Sequence, residues 1–112
     1  MKPGTTSLSK RAEIIACIAR IPRGMVSTYG AVGKAAGIAR GARQVASFLR
    51  QSGHGLPWHR VLGAGGQIKL QGNAAFEQRF RLEAEGVRFR GKRVDMAQYE
   101  FKFAKAAGAR AR

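Results

Sequence analysis

The chain has 112 residues, enough for one hydrophobic core and too few for two. Its hydrophobic fraction of 45% is ordinary, and no apolar run is long enough to cross a bilayer, so no membrane association is expected. Lys and Arg number 21 against 6 Asp and Glu, a net charge of +15 that calls for an anionic partner. The start, Met-Lys-Pro-Gly, carries no hydrophobic leader, so a cytoplasmic location is expected, nucleoid-associated if the source is bacterial. Cys17 is the only cysteine, which excludes an internal disulfide. With His54 and His59 it cannot complete a zinc shell, so neither a metal nor another cofactor is expected.

In chain order, Ser7 to Ile21 places Leu8, Ala12, Ile15, Ala16, Ile18 and Ala19 near helical spacing, with Ser7 or Ser9 as the cap and Pro22-Arg23-Gly24 as the stop. Cys17 falls among apolar neighbours and reads as a small buried residue rather than a nucleophile. Met25 to Thr28 reads as extended. Thr28 then caps a short helix that runs to the stop at Gly37. After Ile38 to Gly41 comes a helix from Ala42 to Gln51, with Val45, Ala46, Phe48 and Leu49 inward and Arg43, Gln44, Ser47 and Arg50 outward. Two short helices joined by a tight glycine-containing link read as a helix-turn-helix. Ser52 to Pro57 is a loop. Arg60 to Leu62, Gly63 to Gly66 and Gln67 to Leu70 read as a glycine-turned hairpin. Asn73 is expected to cap a helix that turns Phe76, Phe80 and Leu82 inward and stops at Gly86. Beyond it lie a turn at Gly91 and a helical turn capped by Asp95 that ends near Tyr99. Residues 1–103 form the expected domain, and residues 104–112 a disordered basic tail.

Charge is unevenly distributed: between Glu13 and Glu77 there is no carboxylate, yet that span holds Arg20, Arg23, Lys34, Arg40, Arg43, Arg50, Arg60 and Lys69. An acidic membrane would favour a basic amphipathic helix with large apolar residues opposite, whereas this span is rich in Gly and Ala. A nucleic-acid backbone is the better match. Covalent chemistry lacks a nucleophile: His59 is the one plausible base, and beside it Trp58 offers only an N–H donor. On composition alone, Trp58 would be core filling.

The segments 22-PRGMVSTYGAVGKAAG-37, 42-ARQV-45, 57-PWHRV-61 and 82-LEAEGV-87 change that reading, because in this order they resemble the DNA-binding domain of the O6-alkylguanine-DNA alkyltransferases. The resemblance covers about residues 7–103. In those enzymes the PCHRV cysteine accepts the alkyl group. Trp58 at that position, and the ending 93-RVDMAQYEFKF-103, are similar to the alkyltransferase-like branch, which does not transfer it. The implied fold is mainly α with a small β-hairpin, a winged helix-turn-helix-like DNA-binding domain of the alkyltransferase family. The implied function is a non-enzymatic, monomeric protein that binds O6-alkylguanine in double-stranded DNA through the minor groove. It flips the nucleotide, blocks alkyltransferase action and directs the lesion to nucleotide-excision-repair proteins. A helix-turn-helix transcription regulator is the alternative.

By the same resemblance, Arg43 is the finger that replaces the rotated base, and Tyr29 crowds the adjoining phosphate and reaches the base. Gln44, Ser47, Arg50 and Arg60 join them in contacting DNA. Tyr29, Trp58, Val61, Lys69, Gln71 and Gly72 surround the alkylguanine, with the backbone around Trp58, Val61 and Gly72 matching positions that hydrogen-bond guanine edges in the enzymes. His59 and Glu85 match the pair that activates the cysteine in the enzymes, and here they are expected to serve as a structural hydrogen-bond pair. Arg60 is also expected to tie the pocket loop to nearby carbonyls. Two departures stand out. Ser52 falls where some relatives carry asparagine, and Gln71 falls where some carry a base-probing cation, with Lys69 two positions earlier.

Overall fold

The computed structural model of the protein describes residues 3–103, with side chains from Lys10 onward. The expected tail, 104–112, lies outside the described residues. Helix α1 spans Pro3–Ala19. It opens on a proline, which lacks an N–H and has the φ that a first helical position requires. Ser7 and Ser9 therefore lie within the helix and do not cap it. Its buried face is Ile14, Cys17 and Ile18, with Ile21 just past the end. From Ala12 onward the expected stripe shares only Ile18 with this face, and Ala12, Ile15, Ala16 and Ala19 face solvent; Leu8 lies outside the described side chains. Adjacent Ile14 and Ile15 start two competing stripes. The one that continues through Ile18 and Ile21 carries more apolar surface, so it is buried.

Strand β1, Ser27–Thr28, leads into α2, Tyr29–Ala35, whose first turn is capped by Thr28 Oγ1 accepting from the Ala31 amide at 3.0 Å. Gly37, at φ 82°, stops the helix in the left-handed region. Helix α3 spans Ala42–Ser52. The two helices approach closely: a Cβ on Gly33 would stand 3.0 Å from Gly41 backbone atoms, so any side chain there would push that backbone back by a few tenths of an ångström. Val32, Ala36, Val45 and Phe48 join the α1 residues in one core cluster.

A second cluster holds Val26, Leu62, Leu82, Val87 and Val94. Here the expected hairpin is replaced by a different pairing. Strand β2, Val61–Leu62, lies parallel to β1, with Ser27 opposite Val61 and Thr28 opposite Leu62. Past a 3-10 turn at Ala64–Gly66, only a single bridge, Gly63 to Gln67, closes back. The small antiparallel hairpin lies instead at β3, Phe89–Arg90, and β4, Arg93–Val94, about the turn at Gly91.

Helix α4 spans Gly72–Ala84 and is preceded by Gln71, so Asn73 is inside it and is not its cap. Leu82 is fully buried, but Phe76 and Phe80 are 77% and 71% exposed, contrary to expectation. The helical period explains this: Phe80 and Leu82 are separated by about 200° around the axis and cannot share a face. Leu82 shares its face with Gln78, four residues earlier, which is also fully buried. Helix α5, Met96–Tyr99, closes the described chain, capped by Asp95 Oδ1 accepting from the Ala97 amide at 3.0 Å. The architecture is mainly helical with two-stranded sheets. Among the described residues no helix is long and apolar enough to cross a membrane.

Candidate nucleic-acid interface

Burial of Val45 and Phe48 fixes the rotation of α3 and turns Arg43, Gln44 and Arg50 to solvent, with Ser47 half-buried and accepting from Gln51 Nε2 at 3.3 Å. Behind α3 lies a cavity of about 510 Å³, within the size range of small-molecule sites. Tyr29 and Leu49 line it from the helix-turn-helix side, Trp58 from the loop, and Leu70, Glu77 and Arg81 from the far side. Arg50 and His54 also reach the wall. Burial pushes the Tyr29 phenol above its ordinary pKa, with Arg50 opposing, so the hydroxyl keeps its proton at neutral pH.

Trp58 opens a 3-10 turn, Trp58–Arg60, and is half-buried, with part of its ring facing the cavity. The His59 ring meets it edge-on, 6.1 Å between centroids at 84°. On the cavity side the Arg81 guanidinium lies 5.5 Å from the centre of the Trp58 ring. Glu77, one turn earlier on α4, holds that guanidinium with an Nη2–Oε2 contact of 2.6 Å and a hydrogen bond from Nε at 2.9 Å.

The turn is fixed from behind by Glu85. Its carboxylate lies 2.7 Å from His59 Nε2, accepts from Arg60 Nη2 at 2.8 Å, and accepts from the Gly24 amide at 3.0 Å. Arg60 Nη1 donates to the Ile21 carbonyl at 2.8 Å. Burial raises the Glu85 pKa, but the donors from Arg60, His59 and Gly24 outweigh it and bring the group down to about 2. Burial also pushes His59 below its ordinary value, and its bond to Glu85 only partly opposes that. Glu85 is thus an anion at neutral pH. Buried Gln78 completes the support, donating to the carbonyls of Val61 at 2.9 Å and His59 at 3.2 Å.

A family model, "6-O-methylguanine DNA methyltransferase, DNA binding domain", matches residues 9–87. The chain belongs to this family. It is similar to the "DNA base-flipping protein" of Escherichia coli K12, 44% identical over 89 residues, covering 77% of this chain and 69% of the relative. It is also similar to "Alkyltransferase-like protein 1" of Schizosaccharomyces pombe, 39% identical over 80 residues, covering 67% and 73%. Among solved structures, S. pombe Atl1 in complex with damaged DNA containing O6-carboxymethylguanine superposes with a TM-score of 0.72 at 28% identity, covering 92% of this chain and 100% of that one. The Mycobacterium tuberculosis O6-methylguanine methyltransferase gives 0.56 at 29% identity, covering 67% and 47%.

Of the residues expected around the pocket, the structure brings Tyr29 and Trp58 together on the cavity wall, with Arg50 from the expected DNA contacts. It does not bring Val61, Lys69, Gln71 or Gly72 there. The Val61 side chain is fully buried in the core, and its carbonyl takes the Gln78 amide. Lys69 and Gln71 are exposed off the wall, and Gly72 lines a neighbouring groove with Ile68 and Phe76. Arg60 is turned inward: 17% of its side chain is exposed, and its guanidinium is committed to Glu85 and Ile21. Sequence reasoning missed Gln78, Glu77 and Arg81. The four-residue spacing from Leu82 back to Gln78, and from Glu77 to Arg81, was the available signal.

Proposed function

We propose that the protein binds duplex DNA carrying O6-alkylguanine, receives the rotated base in the cavity beside Trp58, and leaves the alkyl group in place. The observation that carries this reading is an indole on the cavity wall where, by family resemblance, the alkyltransferases carry their reactive cysteine, with the His59–Glu85 pair intact behind it. The relatives named for base flipping and the superposition on a damaged-DNA complex support it.

Flipping a nucleotide costs a few kcal/mol of stacking and pairing, least for a damaged pair. Arg43, exposed near the start of α3, fills the vacated space. Its planar guanidinium both stacks and donates hydrogen bonds, which lysine does less well. Small residues at the start of α3 suit the minor groove, whose degenerate pattern gives little sequence reading, so the lesion rather than the sequence is read. Stacking of the base or its alkyl group on Trp58 is worth about 1–3 kcal/mol. The indole cannot attack an alkyl carbon. The chain's one thiol, on Cys17, is buried in the α1 core, with its pKa pushed up by burial. The bound, distorted duplex would then exclude an alkyltransferase and present the lesion to nucleotide-excision repair, with the protein acting as a monomer beside the chromosome.

The test is binding to matched duplexes with and without O6-methylguanine at physiological salt. Preference for the lesion, weakening steeply as salt rises, is expected, and equal affinity ends the idea. Arg43→Ala should lose the lesion preference more than the nonspecific affinity. Intact mass after incubation with alkylated DNA should be unchanged; a gain of one alkyl group would make the protein an enzyme.

A further inference from the structure

We propose that Arg81 reads the charge of the group attached to the guanine O6 atom, making the cavity selective for adducts that end in a carboxylate. This rests on the lesion-binding reading above. Arg81 is placed for the task by two contacts at once. Its guanidinium carbon lies 5.5 Å from the Trp58 ring centre, and Glu77 engages its Nε and Nη2 edge, which biases the side chain toward the cavity. Among the described residues Nη1 has no hydrogen-bond partner, and the residue lines the cavity. A substituent lying along the indole therefore meets the open Nη1 edge of that guanidinium. A guanidinium gives a carboxylate a short charge-assisted hydrogen bond and gives a neutral tail much less. The other charges on the wall agree with this assignment. Arg50 adds a second cation, and the one carboxylate, Glu77, is already spent on Arg81.

The same helix contains its own control. Arg79 and Glu83 form a pair of identical spacing, Nε to Oε2 at 3.1 Å, with the Arg79 guanidinium 4.4 Å from the Phe89 ring centre. That pair does not line the cavity, so Arg79→Gln removes an equal charge from α4 without touching the proposed reader.

The decisive comparison is between duplexes that carry O6-carboxymethylguanine and O6-carbamoylmethylguanine, adducts of nearly the same size that differ in charge. Wild type should favour the carboxylate by roughly tenfold, the scale of one charge-assisted hydrogen bond partly screened by solvent. Arg81→Gln should bring the ratio close to one, Arg81→Lys should leave it intermediate, and Arg79→Gln should keep it. Equal affinity of wild type for the two adducts, or a preference that survives Arg81→Gln, overturns the assignment. Failure of the underlying reading looks different: wild type would then bind neither adduct, nor O6-methylguanine, better than the undamaged duplex.

Discussion

Helix α3 and the loop from Pro57 to Leu62 face the same cavity but are held by opposite means. Helix α3 is anchored by apolar burial, through Val45 and Phe48, and its Arg43 and Arg50 side chains are turned to solvent. The loop is anchored by a node of polar contacts: Glu85 engages His59 and Arg60, and Gln78 donates to the carbonyls of His59 and Val61. A surface that must grip a phosphate chain needs uncommitted cations. A wall that must hold a flat ring in one orientation needs fixed geometry, which directional hydrogen bonds supply better than apolar contact does.

The contrast predicts where substitutions hurt. Glu85→Ala should be the most damaging, because it leaves Arg60 and His59 without their anion; a loss of about 3–5 kcal/mol in urea unfolding is expected. The same node predicts an acid response. A carboxyl lowered from 4.5 to about 2 contributes stability that is complete above pH 4.5 and drains away as pH falls toward 2. His59, held below its ordinary 6.5, adds a loss that begins as pH drops through 6.5. Unfolding free energy measured against pH should therefore fall in acid, and Glu85→Gln should flatten the lower part of the slope. Gln78→Ala strips the donor from two buried carbonyls and should cost about 1–3 kcal/mol. Thr28→Ala, which removes the α2 cap, should cost about 1 kcal/mol by thermal unfolding. At the bottom of the scale, Arg43→Ala and Arg50→Ala should move stability by no more than about 0.5 kcal/mol while weakening DNA binding. If an α3 arginine proved as destabilising as Glu85, the division between the two regions would fail.

The sequence made the helix-turn-helix half readable because its signals are local: Thr28 as a cap, Gly37 as a stop, and the apolar rhythm of Val45 and Phe48. The tryptophan and the His59–Glu85 pair emerged from motif order, which encodes tertiary proximity that residue chemistry alone does not. What escaped was set by distant partners. The parallel pairing of β1 with β2 joins segments with no local mark of each other, so glycine-rich residues 63–66 suggested a hairpin that forms elsewhere. Hydrophobicity points Phe76 and Phe80 inward, against the helical period that ties Leu82 to Gln78. The resemblance marks Arg60 as a cation without showing that a buried carboxylate 25 residues on, Glu85, engages it.

The two-residue seam between β1 and β2 also bears on how the molecule comes together. Helices α1 to α3 find their partners among near neighbours, whereas joining Ser27–Thr28 to Val61–Leu62 requires closing a loop of roughly thirty residues. A chain refolding from denaturant should therefore acquire its basic helix before its cavity, an order that stopped-flow refolding of helix signal against Trp58 fluorescence checks. Until that seam closes, the arginines of α3 stand without the Trp58 wall behind them.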